Sequence, residues 1–302
     1  MRVLRTPDSR FEDLPGFDLP ARYADVPDGQ GGSLRMAYVA DGPADGPVVL
    51  LLHGEPTWSF LYRSMLGPLA AAGFRAVAPD LVGFGRSDKP ELVSDHTYAR
   101  HLDWLRALLD ALDLRGVTLF CQDWGGLLGL RLVAEQPDRF AAVVASNTGL
   151  PTGDRPMPPA WQAFRDMVRS APVLDVGRMV AAGCRRGLDP AVRAAYDAPF
   201  PDPAYQAGPR AMPGLVPNTP DDPEAEPNRA AWGALARFER PFLTAFSDGD
   251  PITAGADRPL RSTVPGAAGL EHPTVAGAGH FVQEDAGEEL ARIVVEFARR
   301  RS

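Results

Sequence analysis

Short apolar runs broken by polar loops give the first outline of the chain. Residues 48–52, 75–78 and 117–121 each read as a buried strand that stops at a polar or glycine-rich loop. Residues 98–112 carry Leu102, Leu105, Leu108, Leu109 and Leu112 at helical spacing. Residues 141–145, 241–246 and 274–276 read as later strands, and 288–299 as a closing amphipathic helix. Apolar strands alternating with helices predict an α/β fold with a doubly wound, mostly parallel sheet.

The pattern changes in the middle. Fifteen of the 31 prolines lie within residues 151–227, where no strand-like run occurs. Short helices are expected at 160–168 and 176–184. Trp161, Phe164, Met167, Phe200 and Trp232 make the stretch too apolar for disorder. It reads as an inserted helical cap over the carboxyl edge of the sheet, where open α/β sheets bind ligands. The expected organisation is a core from 1–150 and 230–302 with a cap from 151–229.

Charge and cysteine content narrow the class. A net charge of -8 disfavours nucleic acid as a partner. Thirty of the 31 basic residues are arginine, and Lys89 is the lone lysine. Cys121 and Cys184 make no disulfide framework. The first twenty residues lack a signal-peptide core, and no run of about 18 apolar residues exists. A cytoplasmic protein without a membrane partner is therefore expected. No metal-ligand cluster or phosphate-cradling glycine pattern appears, so neither metal nor cofactor is implied. Nothing fixes the oligomeric state, and a monomer is compatible.

The sharpest chemical feature is Cys121-Gln122-Asp123-Trp124-Gly125-Gly126, a strand end followed by a tight turn into a helix. That is the setting of a nucleophile elbow, here with Asp123 at the nucleophile position. An aspartate is already ionised at neutral pH and attacks without a base. The plain structural reading of Asp123 is a helix N-cap. His53-Gly54-Glu55-Pro56-Thr57-Trp58 follows the first strong strand, beside the elbow in this architecture. The backbone N–H groups of Glu55 and Trp124 are candidates for an oxyanion hole. The side chain of His53 reads as packing. The triad of this fold runs nucleophile, acid, histidine. Asp250 and His280, in loops after late strands, stand in that order, with Asp248 as a competing acid or a turn-shaping residue. His96, His101 and His272 read as packing or surface residues.

These segments, with Asp80-Leu81-Val82-Gly83-Phe84-Gly85-Arg86-Ser87-Asp88 and Gly279-His280-Phe281, resemble the haloalkane dehalogenases of the α/β-hydrolase superfamily. The resemblance covers essentially the whole chain and points to the subgroup whose acid follows the late strand. It implies that Asp123 displaces halide from a haloalkane, forming an alkyl ester. Water activated by His280, oriented by Asp250, would hydrolyse that ester to a primary alcohol. Substrate and halide product are the implied partners. Trp124 matches the family's first halide donor. The second comes from the cap, where similar sequences have tryptophan after alanine, and this chain has Phe164 after Ala163. Either Trp161 substitutes or Phe164 leaves a weaker halide site. Phe164, Ile252 and Phe281 are expected in the substrate pocket.

Two alternatives stand beside this reading. An epoxide hydrolase would use the same Asp–His–Asp set but needs cap tyrosines to protonate the epoxide oxygen. Tyr196 and Tyr205 are available there, both in stretches that read as loops. A non-catalytic binding protein on the same fold would lose part of the constellation. Fluoroacetate-type dehalogenases call for arginines where this chain has Leu81 and Phe84, and haloperoxidases and esterases call for serine at 123.

Overall fold

The computed structural model describes residues 1–299. Its central sheet has seven strands: β1 (Arg22–Pro27), β2 (Ser33–Asp41), β3 (Val48–Leu52), β4 (Arg75–Pro79), β5 (Val117–Gln122), β6 (Phe140–Ser146) and β7 (Phe242–Thr244). Their spatial order is β1-β2-β4-β3-β5-β6-β7. The first two strands are antiparallel additions, and β4, β3, β5, β6 and β7 run parallel. Two short parallel strands, β8 (Phe246–Ser247) and β9 (Thr274–Val275), pair beyond β7.

Burial on both faces explains the unbroken apolar runs. Val49 to Leu52 are fully buried, as is all of β5 but for a slight exposure of Thr118. Each such side chain contributes roughly 1.5–3 kcal/mol relative to exposure. Strand β1 lacks that signal because it is mostly exposed, with only Val26 buried, whereas β2 is mostly buried yet goes unread in the sequence. The run at 241–246 is two strands rather than one. The break falls at Ala245, whose N–H donates to Ala145 O at 2.9 Å while its carbonyl accepts Ser146 Oγ.

Helices α1 (Arg63–Ala71), α2 (Tyr98–Ala111) and α3 (Trp124–Glu135) flank the sheet. Thr97 opens α2 by accepting Arg100 N–H, a side-chain N-cap. Four helices then follow in the proline-rich segment: α4 (Pro159–Ser170), α5 (Val176–Gly183), α6 (Pro190–Asp197) and α7 (Ala207–Leu215). Tyr196 lies in α6 and Tyr205 in a 3-10 turn (Pro203–Gln206), so neither is in an irregular loop. A proline at the first position of each element starts it rather than breaking it.

The boundary expected at 229/230 falls inside α8 (Ala225–Leu235). That helix packs on α3, and Arg131 of α3 donates to both Glu224 and Asn228. After α9 (Asp257–Thr263), the chain ends in α10 (Val282–Arg299), which begins six residues before the expected 288 and kinks at Ala286. Among the described residues no helix is long and apolar enough to cross a membrane.

Candidate active site

Four parallel strands deliver the chemistry to one edge. The loop after β3 supplies Gly54 and Glu55, the turn after β5 supplies Asp123, and the loops after β8 and β9 supply Asp250 and His280. Asp123 has φ of 51° and ψ of -128°, a left-handed conformation that costs a non-glycine residue of order 1–3 kcal/mol. The turn is held by Asp123 N–H donating to Asn147 O and by Thr148 Oγ1 donating to Asp123 O. Close packing fixes the residues around it. A Cβ on Gly125 would lie 2.0 Å from Leu52 O, and one on Gly54 2.1 Å from Asp123 Oδ1.

Asp123 occupies the N-cap position of α3 but makes no capping hydrogen bond. Its carboxylate turns to the sheet edge instead, where Oδ1 accepts Glu55 N–H at 2.7 Å and Oδ2 lies 3.4 Å from His280 Nε2. On the far side of the ring, His280 Nδ1 donates to Asp250 Oδ2 at 2.9 Å. Asp250 is fixed in turn by Ile252 N–H and the Thr253 hydroxyl. Asp248 accepts Gly277 N–H and stays in its turn. Trp124 N–H, the other expected oxyanion donor, makes no bond to the Asp123 carboxylate.

Electrostatics follow from this geometry. Burial alone would lower the His280 pKa, but the charges of Asp250 and Asp123 outweigh it and raise it to about 10. Asp250 experiences burial that would raise its pKa, yet His280 and the Thr253 and Ile252 donors bring it below the usual carboxylate value. Burial and the charge of Asp123 push the Glu55 carboxyl well above the usual range against the opposing charge of His280. Its Oε1 has no hydrogen-bond partner, consistent with a neutral acid.

Two cavities, about 600 Å³ and 390 Å³, share Asp123, Trp124, Trp161 and Ile252 as walls. The smaller also takes in Glu55, Phe164, His280 and Phe281. The indole N–H groups of Trp58 and Trp232 are occupied by the carbonyls of Ala195 and Leu150. Those of Trp124 and Trp161 have no acceptor among the described residues. Arg165 lies 5.1 Å from the Trp161 ring centroid, and a nearby cation strengthens an indole N–H as a donor. Both Trp161 and Phe164 reach the cavity, so α4 brings together the two residues between which the sequence left the choice.

Several residues of the site escaped the sequence reading. Asn147 donates to the carbonyls of Gly279 and His280 and accepts Ser247 N–H, tying the end of β6 to the histidine loop. Gln122 donates to His280 O at 3.1 Å. The one sequence signal for Asn147 is its place at the carboxyl end of a parallel strand. His53 is buried, accepts Leu81 N–H and takes no part in the site, as expected of a packing residue.

Fold and elbow together define an α/β-hydrolase carrying aspartate where the nucleophile stands. The family described as "alpha/beta hydrolase fold" matches residues 47–286. A haloalkane dehalogenase of Mycobacterium marinum is 54% identical over 98% of this chain and 100% of its own. One of Psychrobacter cryohalolentis is 52% identical over 98% of both. The solved haloalkane dehalogenase of Paraglaciecola agarilytica, a tetramer, is 36% identical with a TM-score of 0.89 over 97% of both chains. The chain belongs to the haloalkane dehalogenases, hydrolases that act on carbon–halide bonds.

Proposed function

We propose that Asp123, His280 and Asp250 carry the hydrolysis of a haloalkane, with halide held between the indoles of Trp124 and Trp161. Asp123 Oδ2 attacks the halogen-bearing carbon, and the carbon–halogen electron pair leaves with the halide. A neutral indole N–H suits that anion because it donates without titrating. The alkyl ester has lost the Asp123 charge, and with it one of the two charges that hold the His280 proton. With that charge gone the His280 pKa falls, the imidazolium releases its proton to solvent, and the neutral ring acts as a base toward water attacking the ester carbonyl. The oxyanion develops on Oδ1, where Glu55 N–H already points and where Trp124 N–H, one of the unsatisfied donors that open α3, lies at the adjacent residue. Collapse releases the alcohol and restores the Asp123 carboxylate beside a protonated His280, so the cycle yields one alcohol, one halide and one proton.

The observation that carries this reading is the chain of contacts Glu55 N–Asp123–His280–Asp250. Helices α4 to α7 act as the cap that keeps the pocket dry. The unpaired thiols of Cys121 and Cys184 fit a reducing cytoplasm. An epoxide hydrolase is disfavoured because the Tyr196 phenol is buried and committed to Glu284, and neither Tyr196 nor Tyr205 lines the cavities.

The test is His280→Phe exposed to a bromoalkane. Mass spectrometry should find the alkyl group on the Asp123 peptide, with halide released once and no turnover. An unmodified Asp123 peptide after exposure would reject the scheme.

A further inference from the structure

Both backbone polar groups of Gly279 and both of His280 are hydrogen-bonded. His280 O accepts Gln122 and Asn147, and Gly279 O accepts Asn147 and Ser247, all from the core. The two N–H groups are held differently. His280 N–H donates to Gly183 O, the last residue of α5, at 2.8 Å. Gly279 N–H donates to Asp285 Oδ2 at 2.8 Å.

Asp285 does more than close that one bond. The same Oδ2 accepts Arg185 N–H at 2.9 Å, and Oδ1 accepts Arg186 N–H at 2.9 Å. One buried carboxylate therefore grips the segment after α5 and the residue before His280 at once. The backbones touch directly here, since a Cβ on Gly279 would lie 2.2 Å from Gly183 O. Arg185 also packs against Gly249, one residue before Asp250.

We propose that Asp285 is a positioning residue that locks the cap segment 183–186 onto the histidine loop and so aligns His280 for ester hydrolysis. The inference rests on the assignment of His280 as the base of the second step. Attack by Asp123 needs no base, so only the second step depends on this alignment. Displacements near 1 Å in such sites cost up to about a hundred-fold in rate, and a loosened loop is a milder perturbation. In Asp285→Asn the amide oxygen replaces only one carboxylate oxygen, so either Arg186 N–H or both Arg185 and Gly279 N–H lose their acceptor and face an amide N–H donor instead.

Rapid-quench mass spectrometry on a bromoalkane gives both steps. In Asp285→Asn the alkyl-enzyme should form at the wild-type rate and decay on the order of ten-fold more slowly. kcat/KM should stay unchanged while kcat and KM fall together. Asp285→Ala should slow decay further. Should the alanine variant fail to fold, the asparagine variant alone decides. Unaltered decay in Asp285→Asn, or formation and decay slowed equally, overturns the proposal, since a merely structural residue would give one of those results. His280→Phe separates the two readings. If it accumulates adduct while Asp285→Asn decays normally, only the positioning role falls. If it accumulates none, the base assignment beneath it falls.

Discussion

Oδ2 of Asp123 lies 3.4 Å from Nε2 of His280, so the proposed nucleophile and the proposed base of the second step form an ion pair whenever the ring is protonated. The charge of Asp250, together with this contact, raises the His280 pKa to about 10 against the burial that would lower it. A base that starts protonated looks unsuited to its task until the first step is considered. Alkylation converts Asp123 to a neutral ester and removes its share of that stabilisation from the imidazolium. On the proposed scheme, the first step thus lowers the pKa of the group that serves as base in the second.

Asp123→Asn mimics the neutral ester. The His280 pKa, followed by NMR of the ring protons, should fall below its wild-type value while Asp250 still holds Nδ1. An unchanged titration would mean that Asp250 alone sets the charge. The linkage has a defined sign. Because the folded value lies above the ordinary 6.5, the imidazolium stabilises the fold fully below pH 6.5 and loses that contribution as pH rises through about 10. The stability of wild type relative to His280→Phe should therefore decline between those pH values in denaturant titrations.

The halide site gives a second prediction. A hydrogen bond to a charged group is worth about 1.5–3 kcal/mol, so Trp161→Phe should raise the inhibition constant of bromide by roughly ten-fold or more. Phe164 has no donor to lose, and Phe164→Leu should leave bromide inhibition within about three-fold, an expectation that follows from the same principle. Equal effects of the two substitutions would place the second donor elsewhere.

What could be read from the sequence was whatever local chemistry dictates. Strands β3 and β5 announce themselves because both faces are buried. The Asp123 elbow is legible because a strained turn needs small neighbours within one short segment. Chain order admits Asp248 as well as Asp250, and the preference for Asp250 comes from the turn-shaping reading of Asp248 and from the family resemblance; in the structure Asp250 contacts His280 while Asp248 accepts Gly277 N–H. Asn147 and Asp285 could not be read, because the partners that tie them to other elements, Gly279 and His280 for Asn147 and Arg185 and Arg186 for Asp285, lie about a hundred residues or more away and are backbone groups of no particular residue type. Tyr196 was misread because the prolines and aspartates around it start helices in this chain as well as mark loops.

Gly54 supplies a third prediction. A Cβ there would stand 2.1 Å from Asp123 Oδ1 and 2.5 Å from its Cβ. Asp123 cannot yield easily, because its turn is fixed by Asn147 O and Thr148 Oγ1. Gly54→Ala should therefore move the nucleophile or the Glu55 N–H, and the alkylation rate should fall by about a hundred-fold for a displacement near 1 Å. The burst of alkyl-enzyme in the His280→Phe background isolates this step. An undiminished burst would show that the β3 loop gives way instead.

A buried histidine pair away from the site should contribute to the loss of stability in acid. His96 Nε2 lies 3.2 Å from Pro90 O, which can only accept, so this nitrogen carries the proton. His96 Nδ1 must then accept from His101 Nε2 at 3.2 Å. Both rings are neutral and stack against each other beside Trp104. Burial lowers the His96 pKa to about 4 and that of His101 well below its ordinary value, with mutual repulsion adding to the second. Unfolded, each would bind a proton near pH 6.5. The pair's contribution is complete above that pH and is lost as pH falls toward 4, at about 1.4 kcal/mol per pH unit for each proton the unfolded state gains. His101→Phe should reduce the slope of unfolding free energy against pH by about that amount between pH 6 and 5. The comparison is made by urea unfolding of both proteins, in which carboxylate contributions cancel. An identical slope in the variant would mean that His101 is already protonated in the folded state, contrary to the hydrogen-bond pattern.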